Sequence, residues 1–226
     1  MSAPLKVINL GLPKSGTTTL SEALRQAGLN VADWKVSKQQ AEIRGFVGHL
    51  MYTAYFDSGD PLALMPTFDA FTENSIIRNS LNLWPQMDWG IIEAIRKHNP
   101  GAKFLLSHRD PVLLSQSMMG WSNLGKYRLP TNDIPGLPEG FGDTEEHQAR
   151  WIEAHYSFCR QVFRGAGDFL EYDVTDPDAP KQISAFLGIE LPWWGRVNKG
   201  QLKPNEGKRR ARFKKKAEIE IAKDAE

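Results

Sequence analysis

The chain has 226 residues, of which 41% are hydrophobic and 24% charged, with a formal net charge of +1. These ordinary fractions argue against global disorder, and the near-neutral charge points to no bulk polyanion partner, so that local charge is what matters. The length fits one domain with a full core.

Cys159 is the only cysteine, so no intrachain disulfide and no cysteine-based metal site can form. It reads as a small buried residue on a helix rather than as a nucleophile. The sequence starts almost at once with a strand, and no apolar run approaches the ~18 residues of a membrane span. A cytoplasmic protein without a transmembrane segment is the expectation.

The first element organises the rest. Lys6-Val7-Ile8-Asn9-Leu10 is an apolar run of strand type, Gly11 to Gly16 turns, and Leu20, Leu24 and Ala27 then recur at helical spacing. Strand, tight glycine loop and helix make a phosphate cradle: amide N–H groups converge on an anion, and the helix N-terminus adds partial positive charge. A nucleoside triphosphatase would place lysine directly after the second glycine of G-x-x-x-x-G-K-[ST]. Here Thr17 stands at that position and the lysine precedes the glycine, at Lys14.

Further along, a short strand is expected around Val31, and a helix over 37–55 with Ser37 as its cap and Ile43, Phe46, Val47, Leu50, Met51 and Ala54 inward. The stretch 67–73 reads as a strand carrying Asp69 and Glu73, and 74–85 as irregular. A helix is expected over 87–98, then a buried parallel-type strand Lys103-Phe104-Leu105-Leu106-Ser107-His108 running into Arg109-Asp110-Pro111, then a helix over 112–121. Residues 122–142 are rich in Gly, Pro and Asn and long enough for a lid or an acceptor-binding loop. A helix over 143–163, a strand over 168–173 and a helix over 180–187 complete an α/β domain spanning 1–195. Residues 196–226 form a basic C-terminal extension with Lys203, Lys208, Arg209, Arg210, Arg212, Lys214, Lys215 and Lys216. Either a solvated tail or an arm over a bound anion fits that composition.

The segment Pro13-Lys14-Ser15-Gly16-Thr17-Thr18 resembles the loop with which sulfotransferases grip the 5'-phosphosulfate of 3'-phosphoadenosine 5'-phosphosulfate (PAPS). Arg109-Asp110-Pro111 with Ser117 eight residues after the arginine resembles the second motif of that family. The late strand and helix, Tyr172-Asp173-Val174 through Ala185-Phe186-Leu187-Gly188, is similar as well. The whole is most similar to a bacterial and fungal sulfotransferase-like branch, and the resemblance covers most of residues 5–192.

It implies a P-loop-like parallel sheet flanked by helices on both faces, and PAPS as co-substrate with 3'-phosphoadenosine 5'-phosphate (PAP) as product. It implies that Pro13, Lys14, Ser15, Gly16, Thr17 and Thr18 bind the phosphosulfate and that Arg109 and Ser117 bind the 3'-phosphate. The acceptor would be a small molecule or a glycan with a hydroxyl or amine, and no metal is required. For Arg109 alone, a strand-end ion pair with Asp110 is the competing reading.

Sulfuryl transfer needs positioning, charge neutralisation on the leaving group and a base near the acceptor. Lys14 suits the second task. For the third, Glu73 is the first choice and Asp69 the second, either as base or as a partner that orients Lys14. His108 is an outside candidate, and the bland alternative is that Asp69 and Glu73 cap a helix or pair with Arg78. His155 reads as a packing residue. Trp84, Trp89, Trp121, Phe71 and Tyr127 serve equally as core or as an aromatic acceptor pocket. A non-catalytic PAP- or PAPS-binding protein and a P-loop kinase are the rival functions.

Overall fold

The computed structural model describes residues 5–78, 80–195 and 197. Its elements are, in chain order, β1 Val7–Asn9, α1 Thr17–Gln26, β2 Val31–Asp33, β3 Lys35–Val36, β4 Gly45–Phe46, α2 Val47–Ser58, β5 Ala70–Glu73, β6 Ile76–Arg78 and β7 Leu81–Leu83. They continue with α3 Trp89–His98, β8 Lys103–His108, α4 Pro111–Met119, α5 Glu145–Val162, β9 Phe169–Asp173 and α6 Ala179–Leu187.

Five strands form one sheet in the order β2-β5-β1-β8-β9, and every neighbouring pair is parallel. Parallel strands need crossover connections, and the helices that supply them cover the sheet. Alternation along the strands sorts the core in two. Ile8, Phe71, Phe104 and Leu106 pack with residues of α2, α3, α4 and α5. Val7, Ala70, Leu105 and Tyr172 pack with Leu20 and Leu24 of α1 and Ile183 and Leu187 of α6. The fold is therefore the P-loop-like α/β arrangement, with helices on both faces.

Three expectations change in detail. The helix expected over 37–55 starts only at Val47, because a two-stranded ribbon of β3 and β4 occupies the beginning of that stretch. Ser37 binds Gln40 instead of capping a helix, its amide donating to the Gln40 side-chain oxygen at 3.1 Å. The segment read as irregular, 74–85, contains the antiparallel hairpin of β6 and β7. Within the long loop, Leu124–Arg128 winds into one π-helical turn. Residues 198–226, most of the basic extension, lie outside the described residues.

The parallel sheet fixes where a site can form. The carboxyl ends of β1, β2, β5, β8 and β9 all point the same way; Asp33 and Glu73 stand on those ends, and the loops that leave β1 and β8 carry Lys14 and Arg109. In open α/β sheets that rim is where ligands bind.

Candidate functional site

The loop between β1 and α1 is shaped by two left-handed residues, Lys14 at φ 75° and Gly16 at φ 102°. Glycine takes that conformation freely, whereas lysine there is uncommon and marks a tightly determined turn. Two further contacts seat the loop on the sheet. A Cβ on Gly11 would lie 1.8 Å from Ser107 Oγ, and one on Gly16 would lie 2.3 Å from a methyl group of Val174, so both positions exclude a side chain. Ser15 is fully buried with its hydroxyl 2.6 Å from that of Ser107.

From α5 the His155 ring donates through Nε2 to the carbonyl oxygen of Leu10 at 2.7 Å. Burial holds this imidazole at about 4, so it is neutral and serves as a prop under the loop. Cys159 lies one turn further along the same helix, wholly buried, with its thiol pushed above the usual range by burial.

Lys14 projects from the loop onto the indole of Trp121, its Nζ 3.4 Å from the ring centroid. Trp121 itself stays 47% exposed, and its ring face attracts the ammonium as a cation–π partner. Burial, and after it the nearby charge of Arg109, lowers the proton affinity of Lys14, while Glu73 opposes them. Lys14, Arg109 and Glu73 thus share one electrostatic neighbourhood.

Glu73 ends β5. Its carboxylate accepts from the Ser75 hydroxyl at 2.7 Å, and the hydroxyl of Thr17 faces it from the first turn of α1. Burial pushes this carboxyl up to about 7; Asp33 pushes the same way, and Ser75 and Thr17 oppose. No ion pair joins Glu73 to Arg78 among the described residues.

Arg109 leaves β8 with its backbone clamped by the Tyr156 hydroxyl, which accepts from the Arg109 amide and donates to its carbonyl, at 3.2 and 3.1 Å. Its guanidinium makes no ion pair among the described residues, so the expected alternative of a salt bridge to Asp110 is not formed. Asp110 instead caps α4, accepting from the Leu113 amide at 2.9 Å. Ser117 is half-buried on that helix.

The structure therefore brings Pro13, Lys14, Gly16, Thr17, Thr18, Glu73 and Arg109 to one rim, on the loop, the start of α1 and the strand ends, and carries Ser117 on α4, the helix that starts just after Arg109. Two residues depart from expectation. Ser15 turns its hydroxyl away from the cradle to Ser107, which leaves only its backbone for an anion. Asp69 precedes β5, at the amino end of the sheet, where its carboxylate accepts from the Asn30 amide at 2.8 Å. Four residues of strand, roughly 13 Å, separate it from Glu73, so it neither orients Lys14 nor stands near the loop. Among the aromatic residues, Trp84 and Phe71 belong to the core, whereas Trp89, Trp121 and Tyr127 are exposed. Asp33, at the end of β2, had not been singled out as a site residue. Its signal was available, since β2 ends on a carboxylate as β5 does.

The family model for the sulfotransferase domain matches residues 6–124, more than half of the chain. The chain belongs to the sulfotransferase domain family. The matched region of this sulfotransferase-family chain runs from β1 through α4, so the loop, Glu73, Arg109 and Ser117 all lie inside it. Among solved structures it is similar to a gluconokinase from Sinorhizobium meliloti 1021, with 13% identity over 83% of this chain and 94% of that one, at a TM-score of 0.41. It is also similar to the sulfotransferase domain of the olefin synthase from Synechococcus PCC 7002, with 16% identity over 91% of this chain and 83% of that one, at a TM-score of 0.44. No curated protein sequence matches. Among the described residues no helix is long and apolar enough to cross a membrane.

Proposed function

We propose that the protein is a PAPS-dependent sulfotransferase that moves a sulfuryl group to a hydroxyl or amine of a small-molecule or glycan acceptor. The observation that carries this reading is the meeting of Lys14, Arg109 and Glu73 at one rim of the sheet, two cations and one proton-accepting carboxylate around a glycine loop. That set suits a polyanionic donor and a neutral nucleophile.

In this reading the loop amides, Thr17 and Thr18 hold the 5'-phosphosulfate, and Lys14 faces the bridging oxygen that takes the electron pair when the S–O bond breaks. Arg109 offers a planar fork to the 3'-phosphate and Ser117 a hydroxyl. Glu73 accepts the proton of the acceptor's O–H or N–H as that heteroatom bonds to sulfur. A carboxyl that titrates near 7 is suited to that work, since half of it is ionised at neutral pH while its conjugate acid is still weak. Domain limits of 1–195, with the basic extension beyond, and a cytoplasmic setting belong to the same proposal.

Calorimetric titration with PAP, against ATP with Mg²⁺, tests the donor site. PAP should bind, ATP should not compete, and Lys14→Ala and Arg109→Ala should each weaken PAP at least about tenfold, as the loss of a charge-assisted contact to phosphate does. Failure of PAP to bind the wild-type protein would remove the reading, and a preference for ATP with Mg²⁺ would replace it with a kinase.

A further inference from the structure

Asp33 and Glu73 end adjacent parallel strands, and their pairing is irregular. Val31 pairs with Ala70 and Ala32 with Phe71, but Asp33 pairs with Glu73, so Thr72 is an extra residue on β5. In a regular ladder Asp33 would lie beside Thr72, and Glu73 would point to the opposite face. A bulge of this kind sets two successive residues of one strand, here Thr72 and Glu73, opposite one residue of its partner, Asp33, and such bulges recur beside active sites, where they re-aim a side chain.

The hydrogen bonds follow the same irregularity. The Thr72 hydroxyl donates to Asp33 at 3.2 Å, the Trp34 amide donates to the Glu73 carbonyl at 3.1 Å, and the Ser75 hydroxyl holds the Glu73 carboxylate at 2.7 Å. Two carboxylates are thus fixed next to each other, and neither makes an ion pair among the described residues. Such an arrangement costs energy while both carboxyls are ionised, and uptake of one proton relieves it.

We propose that Asp33 is a positioning residue that acts through Glu73: held across the bulge by Thr72, it places its charge beside the neighbouring strand-end carboxylate and sets the pH at which that carboxylate takes up a proton. The inference rests on the reading of Glu73 as the acceptor base. Asp33 itself faces Ser21 and Arg25 of α1 and acts through Glu73. The charged groups that interact with the Glu73 carboxyl are Lys14 from the loop and Asp33 from β2, and Arg109 in turn acts on Lys14 and Arg25 on Asp33. Burial raises the proton affinity of both carboxyls, and the negative charge of Asp33 adds to that of Glu73.

The test is a carbon-13 NMR titration of the glutamate side-chain carboxyls in the full chain, with Glu73→Gln identifying the Glu73 signal. The Glu73 midpoint should lie above those of the other glutamates. Asp33→Asn should lower it by about one pH unit, the size expected when a like charge a few Å away is removed. Asp33→Glu, which keeps the charge, should leave it within a few tenths of a unit of wild type. Thr72→Val, which removes the hydroxyl that steadies the ionised Asp33, should lower it by a smaller amount and serves if Asp33→Asn does not fold. A Glu73 midpoint equal to wild type in Asp33→Asn, or in Thr72→Val where that variant is the one that folds, overturns the proposal. PAP titration of the same samples separates the two readings. A midpoint that responds to Asp33 in a protein that does not bind PAP would overturn the sulfotransferase reading alone, and PAP binding with an unresponsive midpoint would overturn the role of Asp33 alone.

Discussion

Gly11 occupies a position where any side chain would collide with the hydrogen bond that seats the loop. A Cβ there lies 1.8 Å from Ser107 Oγ and 2.6 Å from Ser15 Oγ, and rotating the serines away still leaves Ser107 Cβ at 3.1 Å. The substitution Gly11→Ala should therefore break the Ser15–Ser107 bond and cost about 1–3 kcal/mol of stability, the usual range for overpacking. Because the bond joins the cradle to β8, PAP affinity should fall as well. The double variant Gly11→Ala with Ser107→Gly should recover in a urea melt only the part of the loss that comes from the clash with Ser107, because the Ser15–Ser107 bond stays lost and Ser15 Oγ still lies 2.6 Å from the added methyl group. Full recovery would mean that the loop is seated by something other than the Ser15–Ser107 bond.

At the scale of elements, α4 carries Ser117 and follows directly from Arg109, so the way this helix starts determines how the two residues face each other. Its first turn is held by the Asp110 side chain at the Leu113 amide, with Pro111 as the first helical residue. Asp110→Ala should cost about 1 kcal/mol through the lost cap, and Asp110→Asn should cost little, because asparagine caps as well as aspartate. If instead the carboxylate charge served Arg109, both variants would be equally damaged; thermal melts and PAP titration on the pair decide.

The sequence made this part legible, since Asp110-Pro111 before an apolar run announces a helix start and Arg109 ends a run of buried-strand type. Lys14 and the glycines were legible for the same reason, being local turn chemistry. The pairing of Asp33 with Glu73 was not, because it depends on a bulge between two strands 39 positions apart in the register, and a three-residue strand carries almost no periodicity. The misplacement of Asp69 has a related cause: reading the strand as starting at Thr67 left open which end of it faces the loop, and only the parallel pairing with β1 decides that. The hairpin of β6 and β7 was missed because Ile76-Ile77-Arg78 and Leu81-Asn82-Leu83 are too short to separate from irregular chain.

For the molecule as a whole, two groups near the loop, the buried His155 and the partly buried Glu73, pull its stability in opposite directions as pH changes. His155 is held at about 4 against an ordinary 6.5, so below 6.5 the unfolded chain takes a proton that the folded chain refuses. Its contribution to stability is complete above 6.5 and is lost as the pH falls through 4, an amount on the order of 3 kcal/mol. Glu73 is raised to about 7 from 4.5, so between those values the folded chain binds the proton and the unfolded chain does not. Its contribution is complete below 4.5 and is lost as the pH rises through 7, with Asp33 shifted in the same sense. Where the two windows overlap, between about 4.5 and 6.5, the opposing slopes offset each other, and these two sites together leave the wild-type stability nearly level. Removing either group should expose the other. In Glu73→Gln stability should fall with acidification by roughly 2–3 kcal/mol across that window. In His155→Gln, which keeps a donor for the Leu10 carbonyl but cannot titrate there, stability should rise as the pH falls from 7 to 4.5. Urea unfolding at half-unit pH steps measures both, and identical pH slopes in the two variants would show that neither group is buried in the protonation state assigned to it.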